Sequence, residues 1–161
     1  MAFSVPQIGS GTAAGAGSST ASVSIGNANS GDITFSTTNS AGNGSISYIF
    51  GGNTTITSGG GADGFKIGAG DTTFKNTGST KSISFATGGF TLGNDADLKI
   101  ETNNGAISVG DIIGTAGGSA TDVILDAGTS TTSIGAVGTG NTDINDLTVS
   151  GTGVITLTGN V

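Results

Sequence analysis

Residues 97–109 read DLKIETNNGAISV, and this stretch decides the fold. It holds two short cells, Leu98-Lys99-Ile100 and Ile107-Ser108-Val109, in each of which a polar residue separates two apolar ones. Alternation with a period of two puts both apolar side chains on one face of a β-strand, and the Asn-Asn-Gly between the cells is typical of a turn. The same cell recurs at Val23-Ser24-Ile25, Ile33-Thr34-Phe35, Phe65-Lys66-Ile67, Ile83-Ser84-Phe85 and Leu147-Thr148-Val149. The sequence therefore predicts an all-β chain of very short strands.

A longer repeat lies over the two-residue one. Segments of matching pattern begin at residues 22, 45, 71, 97, 122 and 146, and a second apolar cell follows about ten residues after each start. A repeat of this length is typical of stacked units, because one unit cannot bury its apolar face alone. We predict a parallel β-helix, or solenoid, of about six turns of ~25 residues over residues 22–161. A β-sandwich built from the same short strands is the alternative.

In a parallel β-helix, equivalent residues of successive turns stack in columns that face the core. The alignment of the segment starts predicts one such core column, made of Val23, Ile46, Phe74, Leu98, Val123 and Leu147. Residues 1–21 do not join the repeat and are rich in Gly, Ala and Ser. We expect them to form a flexible leader or a cap over the first turn.

Composition excludes several classes of function. The 161 residues include no Cys, His, Arg or Trp, which rules out disulfides, thiolate nucleophiles, Cys/His zinc sites and imidazole catalysis. Four basic residues against eleven acidic ones give a net charge of −7, which disfavours nucleic acid and anionic membrane partners. No stretch approaches the ~20 apolar residues that membrane insertion needs. We therefore expect a protein that is not an enzyme.

The segment from Ile134 to Val161, IGAVGTGNTDINDLTVSGTGVITLTGNV, resembles the repeats of filamentous-haemagglutinin-like and autotransporter adhesin passengers of Gram-negative bacteria. It is also similar to the β-strand repeats of very large bacterial surface proteins. The resemblance implies a right-handed parallel β-helix exported to the cell surface, where it serves as a stalk or adhesive rod. The expected location is extracellular, and the expected ligands, if any, are host or environmental glycans.

Acidic residues recur at the predicted strand starts. Asp71, Asp97, Asp122 and Asp146 are in register, and Asp32 precedes a cell in the first turn. One interpretation is a carboxylate ladder of a polysaccharide-binding or polysaccharide-cleaving β-helix, since inverting glycosidases use two carboxyls roughly 6.5–9.5 Å apart. The other is that each Asp caps the backbone at a corner. The absence of Arg and His, which would bind an acidic sugar or move a proton, favours the capping interpretation.

Two further site types have weak sequence support. Asp63 and Asp71 lie in Gly-rich segments that partly match the Ca²⁺-binding nonapeptide of β-rolls, but the Asp and Gly positions differ, so we expect no cofactor. Hydroxyl runs such as Thr54-Thr55, Thr72-Thr73 and residues 130–133 do not form a consistent Thr-x-Thr column. The sequence therefore predicts no ice-binding face and only a weak glycan contact.

The final turn, through Ile155 and Leu157, has full strand character and no polar cap in the sequence. Uncapped solenoid ends leave backbone hydrogen-bonding groups unpaired and favour pairing with another chain. We therefore expect end-to-end strand stacking, either with another copy or with adjacent repeats of a longer protein. The combined prediction is a non-enzymatic, extracellular, structural or adhesive solenoid.

Overall fold

The computed structural model describes residues 23–25, 33–35, 45–58, 64–68, 70–86, 88–115, 121–138 and 144–160, so the segment 1–21 lies outside the described residues. Fifteen strands occur in these residues. They are β1 (Val23–Ile25), β2 (Ile33–Phe35), β3 (Ser45–Phe50), β4 (Thr54–Thr57), β5 (Phe65–Ile67), β6 (Asp71–Ser79), β7 (Ile83–Ala86), β8 (Phe90–Leu92), β9 (Leu98–Asn103), β10 (Ile107–Ser108), β11 (Ile112–Ile113), β12 (Asp122–Asp126), β13 (Thr132–Ile134), β14 (Asp146–Ser150) and β15 (Ile155–Leu157). Among the described residues there is no helix with the length and apolarity that a bilayer crossing requires.

The strands form three parallel sheets. Sheet A has the order β14-β12-β9-β6-β3, sheet B the order β1-β4-β7-β10-β13-β15, and sheet C the order β11-β8-β5-β2. Each of the strand pairings is parallel. From β1 to β13 consecutive strands belong to successive sheets, so the chain winds as a solenoid. This confirms the predicted parallel β-helix and excludes the β-sandwich, whose strands pair mainly antiparallel.

The turn count differs from the expected six. Strands β3 to β5, β6 to β8 and β9 to β11 make three turns, and β12, β13 and a bridge from Val137 to Ile112 make the fourth. The pairs β1–β2 and β14–β15 are partial turns at the two ends of the described stack. The described residues therefore form about four turns, because the repeat begins and ends part of the way round the solenoid.

The core runs along the inside of the three sheets. In the earlier turns it is aromatic: Tyr48 stacks on Phe74 with ring centroids 5.2 Å apart, and the Phe85 ring meets the edge of Phe90 at 4.6 Å. In the later turns it is aliphatic, with Ile100 fully buried. Because inner residues alternate with outer ones, the strands from β3 to β13 contribute to both the core and the surface.

The register of sheet A corrects one member of the predicted core column, Phe74. Leu98 pairs with Val123, and Val123 pairs with Leu147. The residue opposite Leu98 on β6 is Thr72, while Phe74 lies opposite Ile100 one inner position further along the strand. Both inner positions of β6 are buried, so period-two alternation does not distinguish them. The column of sheet A is therefore Ile46, Thr72, Leu98, Val123 and Leu147.

Val23 belongs to a different sheet from the one predicted. Strand β1 pairs with β4 in sheet B, where Val23 lies opposite Thr54. The next cell, Ile33–Phe35, pairs with β5 in sheet C. Apolar–polar–apolar cells occur in all three sheets, so one cell does not identify its sheet. The first cells were consequently assigned to the wrong sheets.

An extra loop interrupts the regular corners after sheet A. The register of β6 against β9 shifts between Asn76 and Ser79, and the buried Asn76 amide donates to the Gly52 carbonyl oxygen at 2.7 Å. At the equivalent corner of the next turn, a Cβ on Gly105 would collide with the Lys81 carbonyl oxygen. Only glycine fits that close approach of two turns. The extra residues after Asn76 form one wall of the cleft described below.

Candidate functional site

The predicted Asp ladder lies at the start of the strands of sheet A. Asp122 and Asp146 are register partners, and the Asp97 Oδ1 atom accepts a hydrogen bond from the backbone N–H of Asp122 at 2.9 Å. The Asn145 side-chain amide donates to the Asp122 carboxylate, also at 2.9 Å. These carboxylates therefore bind polar groups of the neighbouring turn, as corner caps do.

The same arrangement recurs at other corners. The Asp111 Oδ1 atom accepts from the backbone N–H of Ala136 at 2.7 Å, and the Asn104 Oδ1 atom accepts from the Thr129 N–H at 3.0 Å. Each bond joins residues about one turn apart in sequence. Because Asp and Asn act alike here, the acceptor oxygen matters rather than the negative charge. This supports the capping interpretation of the acidic residues.

The structure describes only one of the two weak calcium candidates. Asp71 is exposed at the start of β6, whereas Asp63 lies outside the described residues, as does Asp32 of the acidic series. Within the described ranges, no three acidic side chains are grouped so that they could hold a metal ion. A Ca²⁺ ion needs six to eight converging oxygen ligands, so Asp71 alone does not define a calcium site.

A cluster of opposite charges lies on the outer face of sheet A. The Glu101 carboxylate forms ion pairs with Lys75 on β6 and with Lys99 on its own strand, the latter at 2.6 Å. Hydrogen bonds from Lys75 and then Lys99 hold the pKa of Glu101 below its ordinary value of 4.5. Asp126 follows Glu101 in register on β12. Sequence analysis did not identify this cluster.

Three of these charged residues, Lys75, Glu101 and Asp126, line an open cleft of about 360 Å³ on sheet A. Its lining residues are Lys75, Asn76, Thr77, Glu101, Thr102, Asn103 and Asp126. A carboxyl that protonates a glycosidic oxygen requires a raised pKa, whereas that of Glu101 is lowered. Glu101 therefore suits ion pairing and not the general acid of a glycosidase.

A column of hydroxyl groups follows the outer face of sheet B. Its members are register partners on successive strands: Thr55, Ser84, Ser108, Ser133 and Thr156. Ser24 on β1 is the register partner of Thr55. Neighbouring members are about 4.8 Å apart, the spacing of adjacent strands. Runs of adjacent Thr and Ser do not reveal this column, because its members lie one to a turn. The sequence signal for it is the polar residue inside the second apolar cell of each repeat.

The free edge at β14 and β15 exposes core positions. Ile155 and Leu157 continue the inner columns of sheet B, yet they are 49% and 48% exposed. Their partners on β13, Thr132 and Ile134, are buried. The neighbouring Val154 is also exposed, at 65%. In the described residues, this surface therefore has the character of a core cross-section.

Comparisons with known proteins do not assign a family. No family model, no curated protein and no solved structure matches the chain. The functional argument therefore depends on the geometry of the solenoid and its surfaces.

Proposed function

We propose that this chain is a structural, non-enzymatic solenoid of an extracellular surface, a stalk or adhesive rod that lengthens by end-to-end strand pairing. The observation that carries the proposal is the exposed core section at β15, where Ile155 and Leu157 are each about half exposed. Burying the remaining apolar surface of one such side chain contributes about 1 kcal/mol. The unpaired backbone groups of an edge strand add the hydrogen bonds of a new ladder.

The rest of the molecule supports a mechanical role. The inner columns place each interior turn between two apolar neighbours. The stability of the solenoid is therefore approximately the sum of similar interfaces between turns along one axis. The carboxylates described at the corners form hydrogen bonds between turns, which strengthens the stack. The cleft on sheet A presents an ion-paired carboxylate without the raised pKa that acid catalysis uses.

Sedimentation velocity over a wide concentration range tests the proposal. The variant Ile155→Lys with Leu157→Lys places two charges at the free edge, and we expect it to remain monomeric where the unmodified chain associates. The matched control is Ile49→Lys with Ile124→Lys. It makes the same replacements at the outer face of sheet A, where these side chains are 37% and 38% exposed.

The control variant is expected to associate as the unmodified chain does. Circular dichroism melting of all three proteins verifies that each is folded at the temperature of the measurement. A chain that stays monomeric at the highest concentration, or an edge variant that associates as strongly as the control, contradicts the proposed end-to-end pairing.

A further inference from the structure

The two ends of sheet B have matching strands. Among the described strands, β1 and β15 are the edges of this sheet. Strand β1 reads VSI and β15 reads ITL, so each has an apolar residue, a hydroxyl residue and an apolar residue in that order. Each strand has one neighbour in the sheet, β4 for the first and β13 for the second. Among the described residues, the opposite edge of each strand pairs with no other strand.

The columns of sheet B define what a further strand must contain. One inner column ends at Ile155 and the other at Leu157, with the hydroxyl column between them at Thr156. In the middle of the sheet, the inner residues Ile83 and Ile107 are buried. A strand added to β15 needs an apolar residue at both inner positions and a small polar residue at the outer one.

We propose that β1 of a second copy of this chain pairs with β15, parallel and in register. Val23 of the second copy lies opposite Ile155, Ser24 opposite Thr156 and Ile25 opposite Leu157. The inner columns and the hydroxyl column then continue from one copy into the next without a change of face. Because the two surfaces differ, each copy keeps a free β15 and the association repeats as an open filament. This inference rests on the proposed end-to-end association and names its partner strand.

Disulfide trapping tests the register directly, because the chain contains no cysteine. Ser24→Cys with Thr156→Cys places two thiols at Cα atoms about 4.8 Å apart in the proposed contact, within the range that a disulfide spans. These two positions lie at opposite edges of the six-stranded sheet, so they cannot close within one molecule. We expect mild oxidation to give a ladder of dimers, trimers and larger species on a non-reducing gel.

Three controls accompany the double variant. Each single variant, Ser24→Cys or Thr156→Cys, is expected to stay uncross-linked. Ser108→Cys with Ser133→Cys joins register partners on neighbouring strands within one molecule, so its closure shows that parallel strands of this sheet accept a disulfide. Ser24→Cys with Thr158→Cys moves one thiol two residues out of register and is expected to give a much weaker ladder.

The outcomes separate this inference from the proposed function. Cross-linking of Thr156→Cys alone into dimers would show that β15 pairs with β15 and would overturn the proposal. If the unmodified chain associates in sedimentation and the Ser108–Ser133 control closes, the absence of a ladder overturns the β1 partner while the end-to-end function stands. If the unmodified chain does not associate, both proposals fail. A ladder restricted to the in-register double variant supports the proposed contact.

Discussion

Truncating Leu98 to alanine is expected to destabilise the solenoid strongly. This side chain lies on β9, is 1% exposed and has Thr72 and Val123 as its inner neighbours on the flanking strands. Removing a buried leucine costs about 2–5 kcal/mol, because the lost burial is compounded by the cavity that remains. The free energy of unfolding of an ordinary domain is about 5–15 kcal/mol, so this loss is a large part of it. For a chain of this length the melting temperature is then expected to fall by about 4–20 °C.

Ile124→Ala is the matched control. Ile124 lies on β12 beside β9, where its register partner is Lys99, and it faces outward with 38% of its surface exposed. The two substitutions remove similar numbers of carbon atoms from neighbouring strands of one sheet. We expect the control to cost less than about 1 kcal/mol, as exposed positions usually do. Urea unfolding followed by far-ultraviolet circular dichroism gives the free energy and m-value of each variant.

Equal destabilisation by the two truncations would refute the assignment of Leu98 to the core column. Leu98→Asp is the more severe form of the same test. It places a carboxylate beside Thr72 and Val123, neither of which carries a positive charge, and we expect the chain to lose its folded state. A folded Leu98→Asp protein with an unchanged m-value would contradict the buried position.

Two predictions concern charge and metal. The ion pairs lower the pKa of the Glu101 carboxyl in the folded state, so its ionised form stabilises the fold above the unfolded pKa, and this stability is lost as the pH falls below about 4.5 through the folded pKa. Glu101→Gln is therefore expected to reduce the loss of unfolding free energy in that acidic range. An unchanged dependence of the unfolding free energy on acidic pH contradicts the ion-pair assignment. A chelator is expected to leave the melting temperature unchanged, and a rise of more than a few degrees in millimolar Ca²⁺ would instead reveal a binding site through linkage to folding.

The fold follows from the sequence because two periods agree. Alternation with a period of two indicates strands, and the recurrence of matching segments indicates that the strands stack on their equivalents in the next turn. The sequence determines the sheet to which each cell belongs less well than it determines the fold, and Val23 is an example. The cell VSI suits sheet B as well as sheet A, and only the lengths of the connections decide between them. Those lengths vary from turn to turn, so a fixed period misassigns the first cells.

The charged cluster on sheet A can be predicted from the sequence only when the register of the strands is known. Lys75, Glu101 and Asp126 are distant in sequence but occupy one outer position on three neighbouring strands of sheet A. The apolar alignment contained this information, because Phe74, Ile100 and Leu125 are register partners one position earlier on the same three strands. The cleft itself was not predictable in the same way. Its wall depends on the irregular register after Asn76, which interrupts the repeat.

Exposure in this molecule depends on position along the stack more than on residue type. Strands β7 and β15 share the apolar–hydroxyl–apolar pattern, yet Ile83 is buried and Ile155 is 49% exposed. The difference arises because β7 has a neighbour on each side, whereas β15 has one in the described sheet. In a solenoid each turn contacts only the next, so adding one strand with the right columns converts β15 into an interior strand. The exposed surface at β15 therefore has the pattern that the proposed contact extends, and the sequence of β1 has the same apolar–hydroxyl–apolar order.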